Sequence, residues 1–87
     1  MKQSEEFFGE EELVLVYIAK RLREAKEIEK AFDEAGVDYL VEADTYRGGV
    51  LFVRELIGAF FYVREADIRM AHGTLLAGRW KPYEPGG

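Results

Sequence analysis

A single histidine, His72, and no cysteine leave this 87-residue chain short of the side chains on which most enzyme sites are built. A hydrolytic triad needs a nucleophile held by a base, which an acid in turn orients. His72 lies beside the apolar stripe of a C-terminal helical segment, and none of Ser4, Thr45 and Thr74 has a motif around it. His72 therefore reads as a surface or helix-boundary residue. Without cysteine there is no thiolate nucleophile, disulfide or cysteine metal site. The 17 carboxylates offer no pair that stands out for acid–base work. The cluster Glu5, Glu6, Glu10, Glu11 and Glu12 lacks the loop spacing of a calcium site. No catalytic residue, metal or cofactor is expected, and the chain reads as non-enzymatic.

Binding chemistry has one better foothold, the stretch "ADTYRGGVLFVRE" at 43–55. Arg47 stands between Tyr46 and the glycine pair Gly48 and Gly49. A guanidinium beside accessible backbone N–H groups suits a carboxylate or phosphate. The candidate ligand set is Tyr46, Arg47, Gly48 and Gly49, with Arg54 or Arg64 assisting. The plainer reading of the same residues is a strand-to-strand turn. Two sharper readings fail. A phosphate loop needs a lysine and a Ser/Thr after its second glycine, and a dinucleotide fingerprint needs GxGxxG between a strand and a helix. An RNA-binding third strand would match at Arg47 and Gly48, but Gly49, Leu51 and Arg54 occupy the places of its stacking aromatics.

Length and charge narrow the class further. A chain this short is one domain, buries only about 60% of its unfolded surface, and commonly gains stability by self-association. A hydrophobic share of 48%, with 14% aromatic, is globular rather than disordered. The net charge of −5, from 12 Lys and Arg against 17 Asp and Glu, argues against nucleic acid, which seeks a basic face. The start "MKQSEEFFGEEE" is acidic where a secretory signal is basic. The longest apolar run, residues 13–19, is far short of the roughly 20 needed to span a bilayer. A cytoplasmic protein with no membrane or nucleic-acid partner is the expectation.

The elements that must position these residues are legible from periodicity. Residues 1–12 form an acidic lead-in carrying Phe7 and Phe8. "LVLVYIA" (13–19) is apolar on both faces, the pattern of a central strand covered on both sides. Leu22, Ala25, Ile28, Phe32 and Ala35 then recur as one helical stripe. Arg23–Glu27 and Lys30–Glu34 are i,i+4 ion pairs on the other face, and Gly36 is the stop. "VDYLVEAD" (37–44) alternates as a strand, with Val37, Tyr39, Val41 and Ala43 on one face. "GVLFV" (49–53) and "GAFFYV" (58–63) read as two more strands, joined through 54–57 as an antiparallel hairpin. From Arg64 the period is helical again through Ile68, Ala71 and Leu75, weakened by Gly73 and stopped at Gly78. "RWKPYEPGG" (79–87) reads as a tail, although Trp80 and Tyr83 are residues that often fold back.

The order β-α-β-β-β-α implies a right-handed crossover and later antiparallel strands. The expected architecture is an α+β, ferredoxin-like two-layer sandwich over 13–78, with both helices on one face of a mixed sheet. The other side of "LVLVYIA" then needs cover from a partner subunit or from the tails.

The pieces "LVLVYIAKRLREAKEIEKAFDEAGVDYLV" (13–41), "YRGG" (46–49) and "FYVREADIRMAHGTL" (61–75) resemble a small bacterial family of unknown function described as prokaryotic signal-transducing proteins. The resemblance covers about three-quarters of the chain, mostly in fold-making residues. Where members of that family commonly carry "APN" after the first strand, this chain has "AKR" (19–21), and it lacks the cysteine zinc module of some members. The family is similar in architecture to the trimeric PII-type regulators, which implies sensing or partner regulation rather than chemistry.

The leading expectation is thus a regulatory or protein-interaction module that self-associates as a dimer or trimer. Phe60, Phe61, Tyr62 and Trp80 are its candidate interface, since "FFY" puts bulk on both faces of one strand. The alternative is a sensor of an anionic metabolite or nucleotide built on the 46–49 loop. A third reading, a small enzyme, has no reaction to offer.

Overall fold

The computed structural model describes residues 1–49 and 54–84. Along the chain run a one-turn helix α1 (Glu5–Phe8), strand β1 (Leu13–Ala19), helix α2 (Leu22–Ala35), strands β2 (Leu40–Gly48) and β3 (Arg54–Arg64), a 3-10 turn (Glu65–Asp67) and helix α3 (Ile68–Ala77). The fold is α+β. Among the described residues the sheet has the order β1-β3-β2, with each strand antiparallel to its neighbour. It is therefore not the mixed sheet expected, because β3 returns between β1 and β2 and pairs with both. The strand expected at 49–53 lies outside the described residues except for Gly49, which follows β2 with a left-handed φ of 118°.

The central strand is the longest. Residues 54–57, expected as a link, are strand, and they pair with 45–48 of β2. Tyr46, Arg47 and Gly48 accordingly close a strand rather than form a turn. Alternation along β3 divides its side chains between two environments. Phe61 and Val63 enter the core beneath the helices, and Phe60 and Tyr62 point to the opposite face.

Helix α2 follows its apolar stripe. Ala25, Ile28 and Phe32 are buried, and Gly36 caps it at φ 75° while its N–H and that of Val37 bond to Asp33 and Phe32. The stripe fails at its two ends, where Leu22 and Ala35 are exposed. Ala71 and Leu75 of α3 join the same core, so both helices lie on one face of the sheet. At its centre Phe32, Tyr39 and Phe61 meet with ring centroids 5.4–5.9 Å apart. The Tyr39 hydroxyl donates to Asp33 Oδ1 at 3.2 Å, so the one polar atom of this cluster has a partner. Burial, and then the carboxylates of Asp33 and Glu29, push its phenol upward.

Strand β1 is an edge strand, not a central one. Its two-sided apolar pattern has another cause. The helices cover one face, and Phe8 of α1, almost wholly buried, covers part of the other beside Leu13, Leu40 and Tyr62. A bulge at Val16 and Tyr17 sets two residues of β1 against Phe61. The outer edge of β1 receives the C-terminal segment, whose Tyr83 N–H donates to the Val16 carbonyl at 2.7 Å.

That segment is held by a Schellman closure. Trp80 N–H bonds to Leu75 and Arg79 N–H to Leu76, with Arg79 itself at φ 67° in the left-handed position that usually belongs to glycine. Gly78 is needed for a different reason: a Cβ there would stand 2.3 Å from the Trp80 ring. Trp80 packs against the core and Pro82 is buried, so residues 79–84 form part of the packed body.

Candidate functional site

The face of the sheet away from α2 and α3 carries Leu13, Leu15 and Ile18 of β1, Phe60 and Tyr62 of β3, and Leu40, Glu42, Asp44 and Tyr46 of β2. Its two ends differ in what lies on them. At the α1 end is a recess of about 380 Å³ lined by Glu5, Phe8, Gly9, Glu11, Leu13, Leu40, Glu42 and Tyr62. At the other end is a cleft of about 630 Å³ lined by Tyr17, Ile18, Lys20, Tyr46, Arg47, Lys81 and Tyr83.

A glycine seats the aromatic wall of that cleft. The Tyr46 ring lies across β3 at Gly58, where a Cβ would meet Tyr46 Cε1, Ile18 Cγ2 and the Ala19 carbonyl, each at 3.1 Å. A side chain at 58 would crowd the ring and require its neighbours to give. Lys20 Nζ stands 5.4 Å from the ring centroid, within cation–π range. Lys20 enters at the turn between β1 and α2, Arg47 from the end of β2, and Lys81 and Tyr83 from the C-terminal segment bonded to β1. Burial first, then the nearby Glu24 carboxylate, raise the Tyr17 phenol to about 12, so it stays a neutral hydroxyl at physiological pH.

The charge of the cleft is its distinguishing property. Three cations line it and no Asp or Glu does. Among the described residues no carboxylate lies within ion-pair distance of Lys20, Arg47 or Lys81. In a chain of net charge −5, three cations and three tyrosines thus share one opening. Cations that repel one another without a counter-charge favour an anion, and tyrosine supplies both stacking faces and hydroxyl donors.

The residues singled out in the sequence divide between several places. Tyr46 and Arg47 line the cleft. Gly48 backs the Tyr46 ring, its Cβ position being 3.4 Å from Tyr46 Cε2. Gly49 and Arg54 are exposed and do not line it, Arg54 pairing with Gly48 across the hairpin. Arg64 stands at the far end of β3, six residues and about 20 Å along the strand from Gly58. There its Nε donates to Asp67 at 2.9 Å and its Nη2 to Asp38 at 3.2 Å, with the Phe7 and Phe8 rings under the guanidinium. It has no part in the cleft. Of the expected interface residues, Phe61 is wholly buried in the core and has no side chain to offer a partner. Phe60 is 8% exposed, whereas Tyr62 and Trp80 are half-buried. Lys20, Lys81, Tyr17 and Tyr83 were not legible as site residues. The only available signal was an aromatic pair in a tail, Trp80 and Tyr83, with a lysine between them.

Among the described residues no helix is long and apolar enough to cross a membrane. No protein-family model, no curated protein and no solved structure matches the chain.

Proposed function

We propose that the chain is a non-enzymatic recognition module whose working site is the cleft of Lys20, Tyr46, Arg47 and Lys81, and that its ligand is anionic. The observation that carries this reading is the convergence of three tyrosines and three cations that make no ion pair among the described residues, in an otherwise acidic chain. A phosphate- or carboxylate-bearing ligand meets guanidinium and ammonium donors on one side and the Tyr46 ring on the other. A regulatory role of the kind implied by the resemblance to prokaryotic signal-transducing proteins fits a site that binds and does not react. The architecture that goes with it is a ferredoxin-like sandwich, in which β1 and β2 are parallel and split by β3. The test is a thermal-shift and calorimetric panel of phosphate, nucleotides and 2-oxo acids at low salt. At least one anion raises Tm, and Lys20→Ala with Arg47→Ala lowers its affinity about a hundredfold at about tenfold per lost charged contact. Stabilisation by none of the panel refutes the reading.

A second reading, self-association, has its own support. Beyond Tyr39, which pairs with the N-terminal segment, the outer edge of β2 has no partner among the described residues. Leu13, Leu15 and Ile18 are also only half covered. Sedimentation analysis decides it: a single monomeric species at 100 µM, about the upper end of ordinary dimer affinities, removes the reading.

A further inference from the structure

Strand β3 outruns β1. The pairing of β1 ends at Ala19 opposite Ala59, while β2 stays with β3 as far as Arg54. Among the described residues, the β1-side edge of β3 over 54–58 therefore has no strand beside it. Its length is about 13 Å, room for a strand of about four residues. Such an edge presents unpaired N–H and C=O groups and is a template for an added strand.

What flanks this edge differs from one face of the sheet to the other. On the helix side is a groove of about 320 Å³ lined by Leu22, Ala25, Val41, Ala43, Ile57 and Ala59 among others. Its sheet residues are mostly small, and Leu22 and Ile57, which also line it, are respectively 72% and 73% exposed. These two are the most exposed large aliphatic side chains described, and both line this one groove. On the other side is the cationic tyrosine cleft. Lys20 lines both recesses, and Gly58 lines the groove while its missing side chain makes room for Tyr46 in the cleft. Only the thickness of the sheet separates them.

We propose that this edge accepts an extended peptide segment in which apolar and acidic residues alternate. Successive side chains of a strand point to opposite faces. A segment paired with residues 54–57 sends every second side chain toward the Leu22–Ile57 groove and the others toward the face that carries Tyr46, where Lys20 and Lys81 line the cleft. Backbone hydrogen bonds supply the docking mode, and the two unlike recesses supply the specificity. The charge complement selects acidic residues, because the cleft holds cations without carboxylates. The other open edge, on β2, has no such pair of recesses. The proposal rests on the cleft being an anion site and assigns it a partner class.

The experiment uses the full chain and three blocked hexapeptides: one alternating valine and glutamate, one of the same composition with the valines and glutamates in two blocks, and the alternating peptide N-methylated at every second residue. The readouts are fluorescence anisotropy and amide chemical shifts. The alternating peptide binds, perturbing the amides of 54–58, and the other two bind at least about tenfold more weakly. Ile57→Glu, at a site that is already exposed, weakens the alternating peptide about tenfold or more and leaves the affinity for the small anions of the cleft unchanged. Equal binding of the alternating and block peptides overturns the proposal while leaving the anion site standing. Failure of every peptide while small anions bind overturns it as well, and failure of both removes the cleft reading beneath it. A dimer of the peptide-free protein that Ile57→Glu dissolves would place a second copy in the groove and would also overturn the proposal.

Discussion

The two ends of strand β3 carry the same residue type and put it to opposite uses. At one end Arg64 is held by Asp38 and Asp67 and lies over two phenylalanine rings, tying β3 to α1 and to the loop ahead of β2. At the other end Arg47, carried by β2 as it closes on β3, stands with Lys20 and Lys81 and, although Glu55 is its cross-strand neighbour, makes no ion pair within 4.0 Å among the described residues. A satisfied arginine contributes to the fold and is unavailable to a ligand. An unsatisfied group of cations costs the fold some repulsion, and a bound anion relieves it. Arginine in a sequence therefore says little about binding until its counter-charges are located.

Several substitutions test this contrast, and the largest effect lies at the cleft end. Gly78→Ala drives a Cβ into the half-buried Trp80 ring, which must shift from its packed position. The expected cost is about 1–3 kcal/mol as an overpacking defect. Because Trp80 anchors the segment that brings Lys81 and Tyr83, anion binding should weaken together with Tm, and tryptophan fluorescence should shift to the red. A variant that loses neither stability nor binding would detach the C-terminal segment from the cleft.

A pair of matched changes comes next. Arg47→Gln should lower anion affinity about tenfold and leave Tm in the absence of ligand unchanged or slightly raised. Arg64→Gln should do the reverse, lowering Tm and leaving anion affinity alone. Urea denaturation and calorimetry on the same two proteins provide the comparison. If both variants lose the same property, the two ends are not functionally distinct.

A smaller gain is expected beside the cleft. Arg79 sits at a left-handed φ of 67° in the closure of α3, a conformation costing about 1–2 kcal/mol for a residue with a side chain. Arg79→Gly should raise stability by about 1 kcal/mol, measured by urea denaturation, with anion affinity preserved because Arg79 does not line the cleft.

The smallest effect is at the acidic end, where Glu42 is pushed above the ordinary carboxylate value of 4.5, first by desolvation and then by Glu5. The folded state therefore binds this proton more tightly than the unfolded chain does. The stability gained from the protonated form is complete below about 4.5 and is lost as pH rises through the higher folded value. At neutral pH the charge is a liability, so Glu42→Gln should stabilise the fold by less than about 1 kcal/mol after solvent screening. The advantage over the parent chain should vanish when both are measured below pH 4.5.

Local interactions account for the elements that sequence reading places correctly. The α2 stripe and the Gly36 stop are written within four residues of one another, and the cap needs only a residue free to turn left-handed. β1 misleads because apolar faces record that something covers them without recording what. Helices cover one face and Phe8 part of the other, so a strand on the edge reads like a central one. The "YRGG" stretch misleads in another way. Paired glycines suggest a turn, yet Gly48 stays in β2, and it is Gly58, ten residues farther on, that makes room for the Tyr46 ring.

The sequence by itself determined a short α+β chain, acidic and without cysteine, with one strong amphipathic helix and Tyr46 and Arg47 as candidate binding residues. Periodicity and composition suffice for that because they are read from neighbours in the chain. The packing of the chain settles which arginine is neutralised, which alanines leave a groove, and that Lys20, Arg47 and Lys81 line one cleft. Those three cations come from a turn, a strand end and a C-terminal segment, and only the pairing of β3 with both β1 and β2 brings them together.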